Sequence, residues 1–182
     1  HWRSYLENVE PCYFPPLTES FADTQEIVIE VSDIDTPQLR RFCSENEVTP
    51  ATVLQLAWAA VLSLYTGSLC PSFGVLSSGR DVPIDRVNDI FGPFITMLPC
   101  KAPQSLGTTI RELLDALQRD YLQGLAHQAV SLAEIHNLLG LGSSSLFNSV
   151  VTLQKVVKGT SHETSDLKVN ALSGEDPTEV SS

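Results

Sequence analysis

ATVLQLAWAAVLSLYTG, residues 51–67, decides what kind of molecule this is. Thr49-Pro50 sets a capping hydroxyl and a first-turn proline before it, and Gly67 is a natural stop behind it. No charged residue occurs from Val48 to Gly79, so the stretch belongs either to a core or to a bilayer. The continuous helical part, Ala51 to Tyr65, is shorter than the ~20 apolar residues a bilayer requires, and Pro71 and Gly74 follow closely. The expectation is a buried helix of a soluble domain, with no membrane partner.

Working outward, SFGVL at 72–76 and FITML at 94–98 are expected strands joined through the turn-like SSGRDVP. Upstream, Thr36-Pro37 suggests a second capped helix carrying Leu39, Phe42 and Cys43 on one face. EIVIEV at 26–31 has the β-branched density of a strand, and HWRSYLENV opens with a short helix stopped by the Pro-rich PCYFPP at 11–16. Downstream, Thr109 and Glu112 have capping-box spacing. They precede an apolar stripe of Ile110, Leu113, Leu114, Leu117, Tyr121 and Leu125, with Arg111–Asp115 and Asp115–Arg119 outside it. SLAEIHNLLG at 131–140 is expected to be a short helix ended by Gly140, and LFNSVVTLQ at 146–154 a buried strand. Residues 1–155 are expected to form one subdomain, and 156–182, polar and without period, a flexible tail or incomplete segment. Helices alternating with strands indicate an α/β fold, a mixed β-sheet layered with helices.

With 182 residues, 42% hydrophobic and 18% charged, the chain can bury a core of its own. Its net charge of -11 excludes an extended phosphate-binding surface, so no nucleic-acid partner is expected. Cys12, Cys43, Cys70 and Cys100 form no CxxC pair and have no close His, so no metal site is expected, and four buried reduced thiols in a cytoplasmic protein is the expected state. The chain starts with His1 rather than Met and carries no signal-peptide pattern, as though cut from something longer.

The common catalytic motifs fail: there is no G-x-S-x-G, no GxxxxGK[ST] and no GxGxxG. Residues 36–66 resemble a helix-turn-helix in outline, but the second helix has no charge with which to read DNA. GLGSSSLF at 140–147 has no following Lys and is expected to be a plain turn. Of the histidines, His1 and His162 lie at the ends and His136 has no obvious carboxylate partner. His127 closes the amphipathic helix, where a His caps carbonyls and favours the dipole.

The ordered series ATVLQLAWAAVLSLYTG, SFGVLSSGRDVPI, IFGPFITMLPC, AHQAVSLAEI and LFNSVVTLQK resembles the carboxyl-side motifs of nonribosomal peptide synthetase condensation domains. HWRSYL and GEDPTE resemble the segments that open and follow that series, and the wording of SLAEI and MLPC looks fungal. The resemblance implies a chloramphenicol acetyltransferase-like half-domain, one of two halves forming a V around a tunnel. It also implies amide formation beside an HHxxxDG motif of the amino-terminal half, and no HHxxxDG occurs here. No catalytic residue is therefore expected in this chain, and no directly bound cofactor. The implied partners are the amino-terminal half, an adjacent adenylation domain, and donor and acceptor carrier proteins bearing the phosphopantetheine arm.

By position in the motifs, Gly79 and Arg80 match the GR pair, Gly92 and Phe94 the GxF segment, His127 and Gln128 the HQ pair, and Asn148 the LFN strand. The two glycines are expected to serve close approach or tight turning, and Arg80 to hold the connection by charge-assisted bonds. Asn148 is open between a tunnel-facing role and a buried amide satisfying local backbone. Two other functions remain open: a non-catalytic carrier-binding pseudo-domain, and a fragment of a stand-alone CoA-dependent acyltransferase.

Overall fold

The computed structural model describes residues 1–15, 34–80, 86–104 and 107–154. The strand expected at 26–31 and the tail expected from 156 lie outside the described residues.

Among the described residues, five helices and three strands follow in the order α1 (Trp2–Tyr5), α2 (Thr36–Glu45), α3 (Pro50–Thr66), β1 (Ser72–Ser77), β2 (Thr96–Lys101), α4 (Ile110–Leu125), α5 (Leu132–Leu138) and β3 (Val150–Val151). A 3₁₀ turn, Val87–Asp89, sits between β1 and β2. The strands form one mixed sheet in the order β2-β1-β3, antiparallel between β1 and β2 and parallel between β1 and β3. The α/β class and the layering of helices on a mixed sheet are as the sequence indicates.

Helix α3 is bounded as its sequence suggests. The Thr49 hydroxyl accepts from the Thr52 N–H at 3.2 Å, and Gly67 closes the helix in the left-handed region at φ 71°. Its buried side chains include Ala59 and Leu62, which meet Phe73 and Val75 of β1, Cys100 of β2 and Leu117 of α4. A second cluster joins Trp2 and Leu6 to Leu98, Ile135, Leu146 and Phe147. A third joins Cys43 and Val48 to Leu114, so α2, α3 and α4 share one apolar seam. Gln118 of α4 reinforces it: its side-chain oxygen accepts from the Thr49 N–H at 2.9 Å and its amide nitrogen donates to the Glu47 carbonyl at 2.9 Å.

Several expectations are corrected. The cap of α2 is Asp35, whose carboxylate accepts from the Gln38 N–H at 2.9 Å, and Thr36 is already the first helical residue. The second strand starts at Thr96 rather than Phe94, because Phe94 is held in the connection before it, and it runs on through Pro99 to Lys101. Pro99 is tolerated because β2 is an edge of the described sheet. The segment 146–154 is not a buried strand: only Val150–Val151 pairs as β3, and Val150 is 44% exposed. Ile110 lies outside the buried face of α4, Asp115 pairs with Arg111 alone among the described residues, and Cys70 is only half-buried.

No single helix among the described residues is long and apolar enough to cross a membrane. The pair α2 and α3 passes that test only jointly, and it is bent by 102°.

Candidate functional site

The connection between β1 and β2 is organised around Arg80. Its guanidinium donates to three backbone carbonyls: Val87 at 2.6 Å, Ile90 at 3.2 Å and Gly92 at 3.3 Å. The same group lies 4.6 Å from the centre of the Phe94 ring, a cation–π contact. A planar, permanently charged fork suits this task, since one lysine ammonium could not reach three separated carbonyls and the ring together. Gly79 makes the turn possible. It has φ 66°, and a Cβ there would fall 1.6 Å from the Phe94 carbonyl oxygen. Gly92 is different: its φ is 145°, which disfavours a side chain, but nothing lies near its Cβ position, so close approach is not its role.

This clamped connection forms one side of an open cleft of about 440 Å³, faced by Leu76, Ser77 and Ser78 from the end of β1 and by Thr152 and Leu153 after β3. Phe91 and Ile95, beside the clamp, are exposed apolar side chains. The cleft therefore lies where the parallel strands β1 and β3 end, a position where α/β sheets commonly bind ligands.

The other sequence-singled residues are not in this cleft. Gln128 is buried just past α4, and its backbone carbonyl accepts from the Thr96 hydroxyl at 3.3 Å, which ties the end of α4 to the start of β2. His127 does not cap its helix. Helix α4 ends at Leu125, the exposed His127 ring stacks on His1 at 4.4 Å, and its carbonyl accepts from the Trp2 indole N–H at 3.1 Å. Trp2 reaches that carbonyl by lying against Gly124, where a Cβ would come within 3.1 Å of the indole.

Asn148 is exposed rather than buried, and it works on distant backbone. Its amide oxygen accepts from the Phe14 N–H at 2.7 Å and its amide nitrogen donates to the Phe14 carbonyl at 2.9 Å. That two-way bond continues the pairing of Cys12 with Phe147. It fastens the 12–14 segment to the segment leading into β3.

Tyr5 of α1, Cys100 of β2 and Asp120 of α4 are titratable groups with raised affinities, and none of them lines the cleft. Burial raises the Tyr5 phenol, pushes the Cys100 thiol up to about 12, and raises Asp120. The void they line is about 10 Å³, roughly one water. Desolvation is the leading cause of all three displacements, so they mark packing rather than poised chemistry. No group of three metal-ligating side chains occurs among the described residues.

Sequence reading missed two features. Ser131 and Glu134 form a full capping box on α5, although the S-x-x-E spacing was in plain view. Gln55, in the middle of the apolar α3, carried no signal beyond being polar there. It is buried against the ends of β1 and β3.

The chain is 42% identical to nonribosomal peptide synthetase 5 of Gibberella zeae, over 98% of this chain and 2% of that protein. It is 39% identical to nonribosomal peptide synthetase fmqA of Aspergillus fumigatus, over 98% of this chain and 5% of that protein. The chain thus spans only a few per cent of the curated relatives it matches, and the two named here are fungal. Among solved structures, the cyclization-docking bidomain of the EpoB synthetase from Sorangium cellulosum shares the fold. Its TM-score is 0.64 at 21% identity, over 83% of this chain and 32% of that one. The first condensation domain of the calcium-dependent antibiotic synthetase matches with TM-score 0.54 at 19% identity, over 65% of this chain and 26% of that one. The family model for the condensation domain matches residues 1–180, and this chain belongs to that family, the condensation domains of nonribosomal peptide synthetases.

Proposed function

We propose that this chain is the carboxyl-terminal half of a condensation domain and supplies one wall of the tunnel in which two thioester-borne substrates are joined. The observation that carries the reading is the cleft at the ends of β1 and β3, with its Arg80 clamp and its uncovered Phe91, Ile95 and Leu153. Such apolar surface at a cleft of mixed lining fits a half that closes against a partner half. The mixed lining also fits a phosphopantetheine arm, whose methylenes and amides need both kinds of neighbour.

In the reaction, the acceptor amine attacks the donor thioester carbonyl. A C–N bond forms, the C–S bond breaks, and the amine's proton leaves as the thiol is released. The part of this chain in that reaction is placement, holding two reactants in one geometry rather than supplying a nucleophile or base. Donor and acceptor carrier proteins and the amino-terminal half are its partners in this reading, with the HHxxxDG group contributed from that other half.

The test is single-turnover amide formation, read by mass spectrometry, with loaded donor and acceptor carriers. This chain, the amino-terminal half, their mixture and the intact parent domain are compared. The intact domain is expected to form amide, the mixture to form it weakly and slowly, and each half alone to stay at the carrier-only background. Amide formation by this chain alone would overturn the reading, as would none by the intact domain.

A further inference from the structure

Gln55 and Ser63 are the two side chains of α3 with a buried oxygen that has no hydrogen-bond partner among the described residues, and of the two only Gln55 lines a cavity at the ends of the strands. Gln55 is only 3% exposed. A buried amide oxygen without a donor is unfavourable, because water is lost and nothing replaces it. Polar groups left in that condition in a folded protein call for an explanation outside packing.

The surroundings supply one. Gln55 lines a cavity of about 170 Å³ between the start of α3, Tyr121 of α4 and the ends of β1 and β3. Leu76, Ser77, Ser78 and Leu153 line both this cavity and the 440 Å³ cleft, so the two adjoin along the ends of the strands. No charged residue lines the cavity among the described residues. A bare ammonium entering it would find no counter-charge, whereas a neutral N–H would meet an uncharged lining of mixed polarity that includes Gln55.

We propose that Gln55 is a substrate-binding residue whose side-chain oxygen accepts a hydrogen bond from a neutral amide N–H of the thioester-borne group. This rests on the condensation reading above and names a contact within it. Two sources carry the same chemistry, an amide of the pantetheine arm and an amide of the peptidyl chain. The pairing gives specificity as well as affinity, because an analogue without the N–H leaves the acceptor buried and empty.

The test uses the intact condensation domain that contains this chain, with thioether analogues of a peptidyl-pantetheine as stable probes. A companion series replaces one amide N–H at a time by an ester oxygen. Binding is measured by calorimetry for the unaltered domain, Gln55→Met and Gln55→Leu. For the unaltered domain, one ester probe is expected to bind on the order of tenfold more weakly than the all-amide probe. Which ester does so identifies the arm or the peptidyl chain as the source. Gln55→Met should bind that ester and its parent alike, and should melt no lower than the unaltered domain, since it removes an unpartnered acceptor. Equal binding of all probes by the unaltered domain, which needs no variant, would overturn the proposal. So would a tenfold penalty that survives in both variants, or a penalty that follows the carbonyls instead of the N–H groups. Amide formation by the unaltered domain is measured alongside. Its absence sinks the condensation reading, whereas its presence with an unchanged ester penalty sinks only the role of Gln55.

Discussion

The ends of this molecule's sheet are built in opposite ways. Around α1, α4 and α5, nearly every demand is met from within. Trp2 and Leu6 pack on Ile135 and Leu146, the indole finds the His127 carbonyl, and α4 and α5 each start with a complete capping box. Around the ends of β1 and β3, one guanidinium holds three carbonyls and a ring, Phe91 and Ile95 are uncovered, and the Gln55 oxygen is unpartnered among the described residues. The first region is finished as a folded object. The second is finished only in the presence of something else, which is where a binding function belongs.

The contrast can be broken most forcefully in the packed region. Ile135 is fully buried, so Ile135→Ala should lower stability by about 2–5 kcal/mol, read by urea unfolding of the parent domain. A loss below about 1 kcal/mol would mean that this cluster is looser than the contacts indicate.

Gly79→Ala should act next most strongly and more locally. The strain of a left-handed side chain, about 1–2 kcal/mol, adds to the collision with the Phe94 carbonyl, so the connection must move. Faster hydrogen exchange confined to 86–94, with a fall in amide formation, is the expected outcome. Arg80→Met should loosen the same segment by about 1–2 kcal/mol through loss of its charge-assisted bonds, with Arg80→Lys intermediate. If Arg80→Lys behaves like the unaltered protein, the fork geometry is not what holds the clamp.

His127→Ala should be mild, within about 0.5 kcal/mol, because the structural bond from Trp2 goes to the backbone carbonyl, which any residue supplies. Amide formation should stay within a fewfold. A thousandfold loss in a folded variant would move His127 into the chemistry of the cleft.

The smallest effect is a pH dependence in the packed region. The Leu146 N–H donates to His136 Nε2 at 3.4 Å, which requires a neutral ring, and burial holds the imidazole pKa below its usual value. The unfolded ring, with a pKa of about 6.5, then binds protons more readily than the folded one. This contribution is therefore present above about pH 6.5 and lost as pH falls through the lower folded value. His136→Gln should flatten the stability profile in that window; an unchanged profile would show that the bond is immaterial.

Much of the fold was legible in the sequence because it is governed at short range. The caps at Thr49 and Thr109 act on N–H groups three residues ahead, and Gly67 ends α3 by its own backbone preference. The order of motifs pointed to the condensation family for the same reason, since each motif is a local stretch. Of the residues the sequence motifs mark, Gly79, Arg80, Gly92 and Phe94 meet in space, whereas His127, Gln128 and Asn148 do other work.

What tertiary structure alone decided are the bonds between residues far apart in the chain. Trp2 meets His127 across 125 positions and Phe14 meets Asn148 across 134, and no periodicity encodes such pairs. The same limit hid the shortness of β3 and the character of Gln55. A strand's length depends on which neighbours offer hydrogen bonds, and a polar side chain in an apolar helix is satisfied or stranded by what the rest of the chain places opposite it.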